Sequence, residues 1–107
     1  MDKFTKDISA KILSSYPNHS PTIICVKDTK EVLKFIAGPE ITIGFLMNEV
    51  RTRKKLKAYE ALFMTVETQN KSVITASPVT LISDLYFKHV NPNGFLVLHA
   101  ARENTFG

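Results

Sequence analysis

The chain has 107 residues, 44% of them hydrophobic, which points to one globular domain burying about 65% of its unfolded-state surface. A formal charge of +4 is a mild basic excess that suits acidic peptides, nucleic acid or anionic headgroups without selecting among them. The lone cysteine, Cys25, excludes an intramolecular disulfide and a cysteine-based zinc site, and the longest apolar stretch, 35–47, is too broken by Gly38, Pro39 and Glu40 to span a bilayer.

In chain order, the start (Met-Asp-Lys-Phe-Thr-Lys-Asp) lacks the apolar core of a signal peptide, so a cytoplasmic protein is expected. Phe4, Ile8 and Ile12 recur every four residues and predict a first helix over roughly residues 3–14. Pro17 and Pro21 stop it, since each disfavours helix in the residue before it. The β-branched run from Thr22 to Lys27 predicts a strand, Asp28 to Glu31 a turn, and Leu33 to Ala37 a second strand closing a hairpin. Thr42 is an N-cap, followed by Ile43, Leu46, Met47 and Val50 at the spacing of one helix face. Ala61 to Val66 is a third strand, and Val73 to Thr75 a short fourth. Ser77 and Pro78 read as the N-cap and first residue of a further helix carrying Ile82, Leu85, Tyr86 and His89 on one face. Asn91-Pro92-Asn93-Gly94 turns the chain into a last strand, Phe95 to Ala101, with a six-residue tail from Arg102 to Gly107. The whole is an α+β chain in three parts: an N-terminal helix within 1–15, a mixed sheet with a helix over 16–101, and a flexible tail over 102–107.

Enzyme chemistry finds little purchase. Cys25 sits inside a strand, where cysteine behaves as a small buried hydrophobe. His19, His89 and His99 are too scattered for metal-ligand spacing, and no glycine-rich phosphate loop is present. No catalytic residue, metal or cofactor is expected. The basic run from Arg51 to Lys57 closes a helix, where cations compensate the helix dipole. A second reading gives that run to RNA or an anionic membrane, as a basic binding module that is never conjugated. A short polar tail that ends in Phe106-Gly107 follows the last strand directly. A terminal residue without Cβ can thread a narrow enzyme channel, and its carboxylate can be adenylated and passed on as a thioester.

Several segments resemble, in order, those of the autophagy ubiquitin-like modifiers, the family of GABARAP and the microtubule-associated light chain. Tyr16-Pro17-Asn18-His19-Ser20-Pro21-Thr22-Ile23 is similar to its Tyr/Phe-Pro-x-x-x-Pro-x-Ile stretch, Lys34-Phe35-Ile36 to its Lys-Tyr-Leu strand, and Ile41-Thr42-Ile43-Gly44 to its helix start. Ala61-Leu62-Phe63, Leu85-Tyr86 with His89, Gly94-Phe95-Leu96 and Glu103-Asn104-Thr105-Phe106-Gly107 complete the pattern.

The resemblance implies a ubiquitin-like β-grasp fold with N-terminal helical decoration, and the chain has room for one N-terminal helix where the family usually has two. It implies conjugation of Gly107 to phosphatidylethanolamine by E1-like and E2-like enzymes, with a cysteine protease acting on the C-terminus. The sister alternative is conjugation to a protein lysine. The implied locations are cytoplasm and, once lipidated, the autophagosome membrane, and nucleic acid is not an expected partner. Receptors bearing aromatic-x-x-aliphatic motifs would dock along the second strand. By position, Ile12, Pro21, Ile23, Lys34, Ile36 and Phe95 would receive the aromatic residue, and Phe35, Pro39, Ile41, Leu46 and Arg53 the aliphatic one. Leu46 and Arg53 are expected on exposed parts of the helix. The chain departs from the pattern at Ile8, where an acidic residue is common, at Glu49, where an apolar one is expected, and at Ala37-Gly38, where the family carries Val-Pro.

Overall fold

The β-branched run around Ile23 forms the spine of the molecule, in a computed structural model that describes residues 4–103. Strand β1 (Ser20–Val26) pairs antiparallel with β2 (Glu31–Ala37) and parallel with β5 (Leu96–Glu103). On the far side of β5 lies β3 (Ala61–Glu67), antiparallel to it and to the short β4 (Val73–Thr75). The resulting sheet has the order β2-β1-β5-β3-β4, so β2 and β4 are its two edges.

Helices lie on both faces. Helix α2 (Ile43–Arg53) and helix α3 (Ile82–His89) cover one face, where Ile24 and Val26 of β1, Met64 and Val66 of β3 and Leu96 and Leu98 of β5 meet Leu46, Val50 and Ile82. On the other face helix α1 (Lys6–Ser15) brings Ile12 against Ile23 and Phe95. Strand alternation divides β1 between the two, with Ile23 and Cys25 facing α1 and Ile24 and Val26 facing α2. Among the described residues this is the ubiquitin-like β-grasp order with one N-terminal helix.

Local chemistry explains most boundaries. Thr42 caps α2 by accepting a hydrogen bond from the Phe45 N–H at 3.1 Å. Thr5 caps α1, which therefore starts at Lys6, and Phe4 lies ahead of it with its ring edge-on to Phe95. The predicted start of the next helix is overturned. Ser77 and Pro78 precede α3 by several residues because segment 77–81 is held by α2 instead. The Gly44 N–H donates to the Pro78 carbonyl at 2.8 Å, the Ile43 N–H to Thr80 at 2.9 Å, and the Ile82 N–H to Ile41 at 2.9 Å. The last strand runs to Glu103, so positions 102 and 103 of the expected tail belong to β5. Gly107, the expected conjugation site, lies outside the described residues. Among those residues no helix is long and apolar enough to cross a membrane.

Candidate functional site

Among the described residues no strand lies beside the outer row of backbone N–H and C=O groups of β2. Such an edge is a template for an extended peptide, which adds main-chain hydrogen bonds and sends alternate side chains to the two faces. Along β2, Val32, Lys34 and Ile36 point to the α1 face, and Leu33, Phe35 and Ala37 to the α2 face.

On the α1 face the register sets Ile36 opposite Pro21 and Lys34 opposite Ile23. Behind them Ile12, Ile23 and Phe95 are buried in one cluster, with Phe4, Ile8, Cys25 and Val32 packed against it. Pro21 is buried on the same strand, Lys34 is exposed, and Ile36 is 37% exposed at the edge. The structure thus gathers all six residues expected around an aromatic side chain, four of them buried and two at the rim. Ile8 turns its side chain into this cluster and keeps the face apolar there.

On the α2 face Phe35 and Ile41 pack against the main core, and Arg53 from the last turn of α2 lies over the Phe35 ring with its guanidinium 4.8 Å from the ring centroid. Pro39 is exposed in the turn that follows β2. The expectation for Leu46 fails: it is 1% exposed and belongs to the core rather than to an accessible helix surface. It lies in the stripe Ile43-Leu46-Val50, the face of α2 turned to the sheet. Leu33 and Met47, which sequence reasoning passed over, are half-buried beside the same cluster. The signals for both were present, since Leu33 alternates with Phe35 and Met47 follows Leu46 on the apolar stripe.

The charges around the edge are mostly engaged within the chain. Lys54 Nζ donates to Glu31 Oε1 and, at 3.3 Å, to Thr29 Oγ1, tying the end of α2 to the start of β2. The hydrogen bond from Lys54 and then that with Thr29 hold the Glu31 carboxyl below the usual glutamate range. Arg51 donates to the Glu60 carbonyl at 2.7 Å and to the Lys57 carbonyl at 2.9 Å, closing the loop after α2. Lys57 lies over Tyr59 at 5.8 Å. Much of the run from Arg51 to Lys57 is therefore structural cement rather than a free basic patch. Cys25 is half-buried, and burial followed by the nearby Glu67 carboxylate pushes its thiol up. That is opposite to what a nucleophile requires.

The sequence model of the family described as autophagy protein Atg8 ubiquitin like matches residues 5–107. The chain is 30% identical over 108 residues to autophagy-related protein 8 of Schizosaccharomyces pombe, spanning 95% of this chain and 84% of that protein. With autophagy-related protein 8b of Arabidopsis thaliana the identity is 34% over 104 residues, spanning 92% and 81%. In three dimensions it is similar to the crystal structure of Trypanosoma brucei ATG8, with a TM-score of 0.72 at 26% identity over 95% of this chain and 88% of that one.

Proposed function

The chain belongs to the Atg8 family of ubiquitin-like autophagy proteins, and from that premise we propose that it is a modifier carried on membranes through Gly107 and read by peptides on β2. The observation that carries the reading is the open β2 edge with an apolar cluster behind each of its faces. An aromatic residue of a receptor motif enters beside Ile36 on the α1 face. The aliphatic residue three positions on falls on the α2 face, beside Phe35 and under Arg53. Odd spacing along an extended peptide sends the two side chains to opposite faces, which is why the motif leaves two residues between them.

Conjugation supplies the membrane address. The Gly107 carboxylate is adenylated with ATP on an E1-like enzyme, pyrophosphate leaving; a cysteine thiol displaces AMP to give a thioester, which passes to a cysteine of an E2-like enzyme and is attacked by the amine of phosphatidylethanolamine, the thiol leaving. A cysteine protease exposes or releases the glycine. The protein then moves from the cytoplasm to the autophagosome membrane, with the lipid rather than a helix as the anchor. Its role is to hold receptors there, and it performs no catalysis of its own.

Deletion of Gly107 tests the conjugation step. The truncated chain should remain folded and vanish from the membrane fraction of cells that contain the conjugating enzymes. Persistence of the deletion variant in that fraction would remove Gly107 from its assigned role.

A further inference from the structure

Strand register gathers distant parts of the chain at the end of the sheet from which β5 leaves. Val26 pairs with both Glu31 and Ala100, so the hairpin tip 27–30 lies there, and Ala61 at the start of β3 pairs with Glu103. Ion pairs knit this end together: Arg102 reaches Asp28 at 3.4 Å and Glu60 at 3.1 Å, and Lys54 pairs with Glu31. The loop after α2 joins through Lys57, whose carbonyl accepts from Arg51 at 2.9 Å and whose N–H donates to Glu60 Oε1 at 3.0 Å.

These contacts engage Asp28, Glu31 and Glu60 and leave a surplus of cations. Lys27, Lys30, Lys55 and Lys57 are exposed, and among the described residues none of them forms an ion pair. Lys30 and Lys55 also stand in the left-handed backbone region, at φ of 58° and 54°, where glycine would sit without steric cost. Lys71, the third such residue among those described, pairs with Glu67 at 3.6 Å, whereas the ammonium groups of Lys30 and Lys55 have no such partner. Beside Lys57 the Tyr59 ring is 58% exposed, an amphipathic ring of the kind that settles at a bilayer surface.

We propose, on the reading that Gly107 is the conjugation site, that these four lysines rest on an anionic bilayer, the membrane in which the attached lipid is anchored. Only four residues separate Glu103 from Gly107, a reach of at most about 14 Å. The smallest dimension of the molecule is 24 Å, so the end of the sheet that β5 leaves stays near the headgroups however the domain tilts. A lysine is attracted to anionic lipid only within about a Debye length, roughly 8 Å at physiological salt. The short tail can meet that condition at this end and not at the opposite one. Phosphatidylethanolamine carries no net charge, so the attraction falls on anionic lipids around the anchor. Strand β2 starts at this end and leads away from it, which keeps Lys34, Phe35 and Ile36 accessible to a receptor.

The test is sedimentation of the full, unconjugated chain with phosphatidylcholine vesicles made with and without phosphatidylserine, at low salt where surface attraction is strongest. No conjugating enzyme is present, so the outcome does not depend on whether Gly107 is the anchor. The parent chain should partition onto the anionic vesicles alone. Lys30→Gly combined with Lys55→Gly should weaken this about 25-fold, near fivefold for each lysine. Glycine suits both backbone positions, so the double variant should stay folded, which thermal unfolding checks. Amine acetylation read by mass spectrometry locates the contact. Anionic vesicles should protect Lys27, Lys30, Lys55 and Lys57 and leave Lys11, Lys34 and Lys88 as reactive as on neutral ones. Equal partitioning onto both vesicles, unchanged binding by the folded double variant, or protection centred on Lys11, Lys34 or Lys88 would overturn the proposal. So would tighter binding of a short single-stranded RNA through the same lysines, which would assign the face to nucleic acid. Should the double variant not fold, the acetylation pattern of the parent chain decides alone.

Discussion

The Arg53 guanidinium stands 4.8 Å from the centroid of the Phe35 ring, joining the last turn of α2 to the middle of the edge strand β2. A cation over a ring at a surface is worth about 0.5–1 kcal/mol, enough to hold Arg53 in place and little enough for a ligand to displace it. In the docking mode we propose, Arg53 has two opposed effects: it would attract acidic residues flanking a motif, and it covers the apolar face of Phe35.

Arg53→Ala separates these effects. An acidic aromatic-x-x-aliphatic peptide should lose about 1 kcal/mol or less, roughly a fivefold drop in affinity at most. A neutral peptide of the same core should bind as well or better, because Phe35 is uncovered. Calorimetric titration with both peptides reads the difference. Equal losses for the two would mean that Arg53 acts by shaping the pocket rather than by charge.

Leu46→Ala belongs to a different class of variant. With Leu46 buried between α2 and the sheet, its truncation should cost about 2–5 kcal/mol of folding stability, measured by urea or thermal unfolding. Any fall in peptide affinity would follow from that loss. A stability unchanged within about 0.5 kcal/mol would contradict the burial of this side chain.

The Glu31–Lys54 pair gives a pH dependence of known sign. Because the folded state lowers the Glu31 carboxyl, through Lys54 first and Thr29 second, the pair stabilises the protein above the ordinary glutamate range. That contribution is lost as pH falls through the lowered folded value. Glu31→Gln should therefore be less stable than the parent near neutrality, with the gap closing on acidification. Urea midpoints measured for both proteins across the acid range check this, and a gap that widens toward low pH would reverse the sign.

Legibility in the sequence tracked the range of the interaction. The Thr42 cap and the stripe Ile43-Leu46-Met47-Val50 are local, and they placed the start of α2 correctly. The same stripe already implied that Leu46 is buried, and positional analogy with the family's pocket obscured it. Ser77-Pro78 carries a genuine helix-start signal, and it was overridden by hydrogen bonds from Ile43 and Gly44 more than thirty residues away. Nothing local to that segment announces them. Of the residues we propose for docking, Ile23 and Phe35 are legible as apolar strand positions, the hairpin is legible from the short turn, and Phe95, expected as the first residue of the last strand, lies one place ahead of β5. That β2 forms an outer edge depends on the pairing of β1 with β5, which no local pattern contains. Asn91 was read correctly as part of a turn, yet turns are expected at the surface, and its burial arises only from packing.

The measurement that bears most directly on the account is a backbone-amide titration with an aromatic-x-x-aliphatic peptide, run on the parent chain and on Ile36→Asp. Ile36 is accessible enough to change without opening the core, and a carboxylate there would sit in the path of the aromatic residue. The sheet has a second edge, β4, which serves as an internal control. The account predicts saturable shifts concentrated on Lys34, Phe35, Ile36 and the end of α2, abolished in a folded Ile36→Asp variant. Shifts centred on Val73, Ile74 and Thr75 instead, or undiminished binding by Ile36→Asp, would contradict it.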